Sequence, residues 1–467
     1  MRNNGVAKNL HIFNKVLKNS VQINIDKEKY SLDYSEKIWS KFPKSLHKFF
    51  ADNLTYAITW HMPLINKKNT VYHFDHPVIE PLFFKLLIYS IPMNVLAFKN
   101  NSVVAILKSF YNASFSTEFK SLNHFYLKLQ RRNILSQSAL ILFSFGKDSL
   151  LTLGLATEVG IKPIVMFIEE PKSKYENIQK AKLVKKFKNE FQYSVDFFKI
   201  SIGHIRQNRG NYWGWDIILS QYILTLIPYA FYYRTKYILL GNEQSCNSYT
   251  LHRSGFFINP VYEQSAKAMQ LLQDIPKFFQ IRTHVGSFIE PIHEIFITYI
   301  LHHRYPELSK YQTSCFLEDR AARTRRWCGN CEKCARMYIF LRALHISPAS
   351  VGFPNVSMLS KKKKHLYALF TNSRETSAYG GSGLGKDEQM LAFFLAYKSG
   401  VTGDLMKEYK NRFHREAARR KKELIETYFG IHPAITLPPR TGKAILSIIK
   451  DEQKSVLREI RKKIGRI

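Results

Sequence analysis

A short segment near the middle of the chain combines the groups that an enzyme uses to hold a phosphate. The segment Ser144–Ser149 reads SFGKDS, and the continuous apolar run Ala139–Ser144 leads into it. Such a run predicts a strand that is buried on both faces, and Ser149–Val159 predicts a helix directly after it. When a strand is followed by a tight turn with glycine and then a helix, the backbone N–H groups of the turn and the positive end of the helix can point at an anion. The sequence therefore predicts an anion-binding loop at this position.

Each polar residue of the loop has a chemical role that suits a phosphate ligand. The hydroxyls of Ser144 and Ser149 can donate hydrogen bonds to phosphate oxygens. Gly146 lets the backbone approach the ligand closely. The ammonium of Lys147 can neutralise phosphate charge, and the carboxylate of Asp148 can hold Mg²⁺ or orient the loop. Open parallel sheets bind ligands at the carboxyl ends of their strands, which is where this loop is predicted to lie.

The loop differs from the common phosphate loop, G-x-x-x-x-G-K-[ST], because Ile141 and Asp148 replace its first Gly and its Ser/Thr. A second segment, Gly380–Asp387, has that spacing, but Asp387 stands where the motif has its Mg²⁺-binding hydroxyl. No apolar strand precedes this second segment. We interpret it as a loop that caps a helix at Asp387–Tyr397, and a second nucleotide site or a lid over the first site are the alternatives.

Four of the five cysteines are spaced like the ligands of a metal ion. Cys328, Cys331 and Cys334 form a C-x-x-C-x-x-C run, and Cys315 lies upstream of them. Four thiolates complete a tetrahedral Zn²⁺ site without an open position, which predicts a structural metal. An iron–sulfur cluster and reduced free thiols are the alternatives. We expect the fifth cysteine, Cys246, to be an ordinary buried residue, and a reactive thiol is the alternative.

The elements around the loop alternate between strands and helices. Strands are predicted at Ala139–Ser144, Pro163–Ile168, Val195–Ile200 and Tyr237–Leu240, and helices at Ser149–Val159, Glu176–Phe191 and Trp215–Arg234. This βαβ order is typical of a doubly wound parallel sheet, so we expect an α/β domain over residues 138–350. Residues 1–137 predict an α+β region with a short strand at Val103–Leu107. Residues 351–467 predict a basic, mainly helical region.

The chain carries a formal net charge of +34, from 70 Lys and Arg against 36 Asp and Glu. Residues 361–467 carry 24 Lys and Arg against 11 Asp and Glu, which is +13 over 107 residues against +21 over the other 360. A positive field of this size favours polyanions such as nucleic acid, nucleotides or an acidic membrane surface. A lysine-rich genome composition would produce the same excess.

The composition, 45% hydrophobic, is that of a globular protein. The longest apolar run, Ile217–Tyr233, contains polar residues and predicts a buried helix rather than a membrane span. The N-terminal residues lack the apolar core of a signal peptide. We therefore expect a cytoplasmic protein without a membrane span, whose thiols are reduced.

The loop resembles the S-G-G-x-D-S motif of the PP-loop ATP pyrophosphatases, with Phe145 in place of the first glycine. In that family the loop holds the β,γ-pyrophosphate of ATP, so the resemblance implies release of AMP and pyrophosphate, with Mg²⁺ as cofactor, and an adenine nucleotide alpha hydrolase-like fold. It further implies that the nucleotide site extends from Ser144–Ser149 to Phe167 on the second strand and to Gly241 and Asn242 after the fourth.

The loop and the four cysteines together resemble the 7-cyano-7-deazaguanine synthase branch of these enzymes, over residues 138–345. The resemblance is tighter to the ATP-dependent epimerases of UDP-N-acetylmuramoyl-L-alanyl-L-glutamate. It rests on the long N-terminal region, on Asn242–Ser245 (NEQS), on Trp327–Cys334 (WCGNCEKC) and on the C-terminal extension. Both families adenylate a substrate carboxylate with ATP. The product is then epimerised in one family and converted to a nitrile in the other.

Adenylation turns a carboxylate into a good electrophile, and the next step needs a group that moves a proton. Glu243 is the first candidate because it follows the strand on the nucleotide side, and Lys147 and Asp148 complete the predicted catalytic set. Further acid–base or charge-stabilising candidates are His252, Arg253, Glu290 and His293. The expected substrate is a small acidic or nucleotide-linked molecule. The alternatives are an enzyme that adenylates a base of tRNA and a PP-loop module that binds without catalysis.

Overall fold

The computed structural model describes residues 9–66, 68–97, 102–122, 135–171, 174–207, 217–251, 255–317, 319–371 and 383–465. Its centre is a five-stranded parallel sheet. The strands are β6 (Ser136–Leu142), β7 (Lys162–Glu169), β8 (Ser194–Lys199), β9 (Thr235–Leu239) and β12 (His284–Gly286). They lie in the order β12-β9-β6-β7-β8. The four predicted strands and the α/β class with a parallel sheet are confirmed, while β12 was not predicted.

The chain builds this sheet outwards from β6, first to one side through β7 and β8 and then to the other through β9 and β12. Leu140 pairs with Ile164 of β7 on one side and with Ile238 of β9 on the other. Neighbouring residues of β6 point to opposite faces, so Ile141 and Leu140 belong to two different hydrophobic clusters. Both faces of the sheet are therefore buried, as the continuous apolar run of β6 predicts.

Helices and short strands connect and cover the parallel sheet. The helices are α6 (Lys147–Glu158), α7 (Lys174–Glu190), α8 (His204–Gln207), α9 (Ile218–Thr225), α10 (Ile227–Tyr233), α11 (Ala266–Leu272), α12 (Asp274–Phe278), α13 (Glu294–Arg304), α14 (Pro306–Ser309) and α15 (Glu332–Ala343). Strands β10 (Thr250–Leu251) and β11 (Phe257–Ile258) form a small hairpin. The single helix predicted over Trp215–Arg234 is divided in the described part at Leu226, shortly before Pro228, because proline supplies no N–H for a continuous helix.

The N-terminal region contains a second five-stranded sheet, in the order β3-β2-β1-β4-β5. Its strands are β1 (Leu10–Val16), β2 (Ser20–Ile25), β3 (Glu28–Asp33), β4 (Thr70–Asp75) and β5 (Thr117–Ser121). Its helices are α1 (Glu36–Trp39), α2 (Lys44–Thr59), α3 (Met62–Asn66), α4 (Glu80–Ala97) and α5 (Val103–Phe115). The predicted strand at Val103–Leu107 is wrong, because these apolar residues lie in α5, a helix that packs on α3 and α4. Tertiary packing overrides their preference for a strand.

The C-terminal region contains five α-helices in its described part. They are α16 (Gly383–Lys398), α17 (Asp404–Arg412), α18 (His414–Arg419), α19 (Lys421–Tyr428) and α20 (Pro439–Ile464). The predicted loop Gly380–Asp387 lies partly outside the described residues, and its last residues form the first turn of α16. Within the described residues, no helix is both long and apolar enough to cross a lipid bilayer.

The two hydrophobic clusters run through the whole chain rather than through single regions. One cluster joins the N-terminal residues Ile23 and Phe50 to Leu140 on one face of the parallel sheet. The other joins Ile141, on the opposite face, to C-terminal residues such as Ile449. The N-terminal and C-terminal regions therefore cover opposite faces of the sheet that carries the predicted loop.

Substitution of a glycine in α6 tests the packing that positions this helix. A Cβ atom added at Gly154 would lie 2.9 Å from ring atoms of Tyr305, whose hydroxyl is held by Glu158 at 2.6 Å. Gly154→Ala should therefore lower the free energy of unfolding by about 1–3 kcal/mol, as overpacking does, although alanine is the better helix former. Urea unfolding measures the change. In a Tyr305→Ala background the same substitution should be neutral or stabilising, and an equal loss there would refute the steric explanation.

Candidate functional site

The loop Ser144–Ser149 joins the carboxyl end of β6 to the first turn of α6, as predicted. Two hydroxyls organise its backbone. The Ser144 N–H donates to Ser149 Oγ at 3.2 Å, and the Gly146 N–H donates to Ser144 Oγ at 3.3 Å. Ser149 Oγ in turn donates to the Gly146 carbonyl at 3.0 Å. The two serines thus hold the loop closed, and the N-terminus of α6 points to the same end of the sheet.

Phe145 has a left-handed backbone, with φ of 59°. A side chain in this region costs about 1 kcal/mol, whereas a glycine adopts it freely. The Phe145 ring is fully buried and packs on Phe143 and Phe187, with ring centroids 4.8 and 5.6 Å apart. Its carbonyl accepts a hydrogen bond from the Thr313 N–H at 2.7 Å. Burial of the ring therefore offsets the strain at the position where the resembling family has glycine.

A cavity of about 360 Å³ opens where the strand order reverses, between the carboxyl ends of β6, β7 and β9. This is the place where open parallel sheets bind ligands. Of the predicted nucleotide-binding residues, those that line it are Ser144, Asp148, Ser149, Gly241 and Asn242. Its apolar wall is formed by Leu142, Phe143, Met166, Ile168, Leu219 and Leu240. The cavity therefore has a polar end at the loop Ser144–Ser149 and an apolar part between the strand ends.

The other predicted nucleotide-binding residues, Phe145, Gly146, Lys147 and Phe167, do not line the cavity. Phe167, on β7, is the one of these that lies outside the loop Ser144–Ser149. It is buried in the hydrophobic cluster on the other face of the sheet, and its ring lies 5.3 Å from the ring of Phe197. Its neighbours Met166 and Ile168 line the cavity instead, because successive residues of a strand point to opposite faces.

Gly241 determines how closely β9 approaches α6. A Cβ atom added at Gly241 would lie 2.8 Å from Asp148 Cβ and 3.3 Å from the Asp148 carbonyl carbon. No L-side chain fits this gap without moving the loop. The close approach places Asn242, the next residue, on the cavity wall beside Asp148 and Ser149.

The ammonium of Lys147 lies in a buried group of charges and not on the cavity wall. Its Nζ is 2.7 Å from Asp148 Oδ1 and 3.6 Å from Glu294 Oε1, and the side chain is 4% exposed. Burial alone would lower the pKa of Lys147, but the charges of Asp148, Glu294 and Glu243 raise it above its ordinary value. Lys147 therefore stays charged, and it links the loop to α13.

Glu294 is a member of this group that the sequence analysis did not find. It forms the first turn of α13, and Arg336 Nε of α15 lies 2.8 Å from its Oε2. Burial would raise the pKa of Glu294, whereas Arg336 and Lys147 hold it below its usual range. A glutamate after His293 carried no distinctive signal, because its two cationic partners lie far away in the sequence.

Two further carboxyl groups, on Glu243 and Glu388, complete the buried group. The Glu243 carboxylate accepts hydrogen bonds from the Ser245 N–H at 2.9 Å and from the Ser245 hydroxyl. Glu388 of α16 is fully buried and accepts a hydrogen bond from the Ile295 N–H at 2.9 Å, at the N-terminus of α13. Burial, together with the negative charge of Glu294, raises the pKa of each carboxyl group to about 8. Near neutral pH both therefore hold a proton much of the time.

The other acid–base candidates have structural surroundings. Glu290 accepts hydrogen bonds from the backbone N–H groups of Ile435 at 2.9 Å and Thr436 at 2.8 Å, and so fixes the C-terminal segment. His293 packs edge-on against His432, and burial followed by the charge of His432 lowers the pKa of His293 to about 3. His293 is therefore a neutral imidazole near neutral pH and offers no imidazolium as a general acid. His252 and Arg253 lie outside the described residues.

A polar rim on the β7 side of the cavity was not predicted. Glu170, one residue past the end of β7, is bonded to the buried Arg206 guanidinium and accepts from the Tyr222 hydroxyl at 2.7 Å. Asn177 of α7 donates to the Glu170 carbonyl at 2.7 Å. Lys180, also on α7, lines the cavity beside them. These groups can orient the polar parts of a ligand whose apolar part fills the cavity.

The four cysteines of the predicted metal site lie together and could hold a metal ion. Three of the sulfur–sulfur distances lie between 3.5 and 3.8 Å. They join Cys315 to Cys331, Cys315 to Cys334, and Cys328 to Cys334. A tetrahedral ion with bonds of about 2.3 Å to sulfur requires about 3.8 Å between sulfurs. Backbone N–H groups of Leu317 and Cys334 donate to Cys315 Sγ at 3.3 Å and to Cys331 Sγ at 3.4 Å, and such bonds stabilise thiolates.

Cys246 lies apart from this group, as a buried thiol beside Glu243. Burial, and then the charge of Glu243, raise the pKa of Cys246 well above its usual range. A thiol in this environment stays protonated and unreactive. The prediction of an ordinary buried cysteine agrees with this placement.

Comparison of the chain with models of known protein families, and with curated proteins, finds no match.

The raised pKa of Glu243 predicts how stability depends on pH. The carboxyl group binds a proton more tightly in the folded protein, about pKa 8, than in the unfolded chain, so it favours folding at low pH. This contribution is complete below the unfolded pKa of about 4.5 and is lost as the pH rises through 8. From pH 5 to pH 9 the free energy of unfolding should therefore fall by at least about 1 kcal/mol more in the parent protein than in the Glu243→Gln variant. Urea unfolding across this range measures both. Equal pH slopes would show that Glu243 is ionised in the folded state.

Proposed function

We propose that the chain is a PP-loop ATP pyrophosphatase that adenylates a substrate carboxylate and releases AMP and pyrophosphate. The observation that carries the proposal is the cavity at the reversal of strand order. It brings Ser144, Asp148 and Ser149 of the loop together with Gly241 and Asn242 from the end of another strand. The resemblance of the loop to the S-G-G-x-D-S motif supplies the type of chemistry.

The cavity is polar at the loop and apolar between the strand ends, and this division suits a nucleotide. The phosphates would lie at the N-terminus of α6, near the serine hydroxyls of the loop, where the helix dipole favours negative charge. The adenine base would fill the apolar part beside Met166 and Ile168. Asp148, which lines the cavity, would hold Mg²⁺, which neutralises phosphate charge when bound. Lys147 supports this arrangement from behind, because it pairs with Asp148 and fixes the direction of that carboxylate.

Glu243 is our candidate for the proton transfer that follows adenylation. Its pKa of about 8 makes both protonation states accessible near neutral pH, as a general acid or base requires. Its chain neighbour Asn242 lines the cavity. For an epimerase the base would remove the proton next to the activated acyl group, and for a nitrile-forming enzyme it would accept protons from the attacking ammonia.

The two resembling families supply the leading substrate class. We favour a small acidic or nucleotide-linked carboxylate, as in the epimerase and 7-cyano-7-deazaguanine synthase families. A tRNA base is the second candidate, supported by the net charge of +34. A module that binds ATP without turnover is the third. Incubation with UDP-N-acetylmuramoyl-L-alanyl-L-glutamate, with 7-carboxy-7-deazaguanine plus ammonia, and with unmodified tRNA separates these candidates.

The cysteine cluster is proposed to hold one Zn²⁺ in a structural role. Four sulfur ligands leave no open position for substrate or water. The helix α15 begins directly at the cluster, with Cys331 at its N-cap, and Arg336 on the same helix reaches Glu294. The metal would therefore help to position Arg336, one of the cations in the buried group of charges beside the loop.

With its substrate and Mg-ATP, the enzyme should form AMP and pyrophosphate, resolved by anion-exchange chromatography. Asp148→Asn should lower the rate at least about 100-fold, in line with the loss of a charge-positioning group. Asp274→Asn is the matched control, because Asp274 is exposed and pairs only locally with Lys277 in the described structure. ADP and phosphate as products would refute the PP-loop assignment. ATP binding without turnover for any of the three substrates would favour the binding module.

Elemental analysis of the purified protein should give about one zinc per chain, following the four-thiolate count. Cys331→Ser should reduce the zinc content and lower the thermal unfolding midpoint, because a structural metal contributes folding energy. Cys246→Ser is the matched control and should keep its zinc, since Cys246 lies outside the cluster. Absence of both zinc and iron from the parent would exclude a metal site.

A further inference from the structure

The last helix, α20, separates its charges by sign. Two of its three acidic residues face the protein. Glu452 is buried, accepts a hydrogen bond from Arg304 Nη1 at 2.9 Å and lies 2.6 Å from His303 Nδ1. Glu459 accepts a hydrogen bond from the Tyr299 hydroxyl at 2.8 Å. Because these acids contact α13, they do not neutralise the outer face of α20.

The outer face of α20 carries a row of exposed cations, which we call the cationic stripe: Arg440, Lys443, Lys450, Lys454, Arg458 and Arg461. Successive members are three, four or seven residues apart, so they share one face of the helix. At 1.5 Å per residue the stripe is about 32 Å long. Its C-terminal half borders an open groove lined by Lys454, Leu457, Arg458, Arg461 and Lys462.

The stripe has little compensating charge. The third acid of α20, Asp451, pairs with Lys454 at 3.1 Å. In the described part of the chain, no carboxylate lies within ion-pair distance of Arg458, Arg461 or Lys462. Some cations before α20 are instead paired with acids on the same surface, as Arg412 is with Glu408. Arg420, for example, pairs with both Asp387 and Glu423.

The inner face of α20 fixes the stripe in place. Ile445, Ile449, Val456 and Ile460 are buried in the hydrophobic cluster that also covers the parallel sheet. The helix therefore presents its cations in a rigid row and cannot turn its apolar side towards a lipid surface. Substitutions on the exposed face therefore test the stripe without disturbing this part of the core.

We propose that the cationic stripe of α20 binds the phosphate backbone of a double-helical nucleic acid. A duplex presents one negative charge per about 1.7 Å of its axis, so phosphates lie within reach of every cation along the stripe. Proteins that bind single strands use aromatic side chains as stacking platforms. The sequence of α20 contains no aromatic residue, so the stripe suits contact with phosphates rather than with bases. This proposal does not depend on the chemistry of the cavity.

Binding to a fluorescently labelled 24-base-pair RNA duplex, and to a DNA duplex of the same length, tests the proposal by anisotropy. We compare the parent with the triple variant Lys454→Glu/Arg458→Glu/Arg461→Glu. The control variant Lys27→Glu/Lys29→Glu/Lys41→Glu makes the same change of net charge at exposed N-terminal positions. The stripe variant should bind at least about tenfold more weakly at 0.1 M salt. The slope of log affinity against log salt should become shallower by about 3, at about 0.9 per lost phosphate contact.

The control variant should bind like the parent, and all three proteins should unfold at similar temperatures. Equal weakening in both variants would show a response to net charge alone and would overturn the proposal. No binding of either duplex by the parent would also overturn it. So would binding of anionic phosphatidylserine vesicles that is tighter than duplex binding and is lost in the stripe variant, because the stripe would then serve a membrane surface.

Discussion

The buried ammonium of Lys147 is the constraint on which the arrangement of the site depends. A charge removed from water is tolerated only when opposite charges and hydrogen bonds surround it. Asp148 and Glu294 supply these partners directly, at 2.7 and 3.6 Å. Glu294 is in turn paired with Arg336 of α15, and Glu388 of α16 binds the backbone at the start of the helix that carries Glu294. The loop Ser144–Ser149, the helix after the cysteines and the C-terminal region thus meet at one group of charges.

This group has more carboxyl groups than its cations neutralise, which explains its protonation. Arg336 and Lys147 hold the pKa of Glu294 below its usual range, so Glu294 keeps a negative charge. Burial raises the pKa of Asp148 and favours the neutral acid at Glu243 and Glu388, whose pKa values are raised to about 8. Such an arrangement contributes little net stability, but removal of one partner leaves an uncompensated charge. It also keeps a carboxyl group that can gain or lose a proton close to the residues that line the cavity.

The C-terminal region is part of the same structure and not an appendage. Glu290, at the edge of the sheet, binds the backbone of Thr436, and Arg304 of α13 binds Glu452 of α20. The inward-facing acids of α20 are therefore used to attach it to α13. The same attachment leaves the cations of α20 outside, in one row. Helix α13 therefore contributes Glu294 to the buried group of charges beside the loop. The same helix also holds α20, which carries the cationic stripe, through Arg304.

The sequence by itself determined the features that depend on residues close together in the chain. The strand, loop and helix around Ser144–Ser149 and the spacing of the four cysteines follow from local pattern, since hydrophobic period and ligand spacing act over a few residues. Tertiary structure decided the direction of the Lys147 side chain, the left-handed backbone of Phe145 and the roles of Glu294 and Glu388. Each of these depends on partners from distant segments, and no local signal encodes which distant carboxylate will face a buried cation. For the same reason the apolar residues at Val103–Leu107 became helical, because packing against neighbouring helices outweighed their intrinsic preference for a strand.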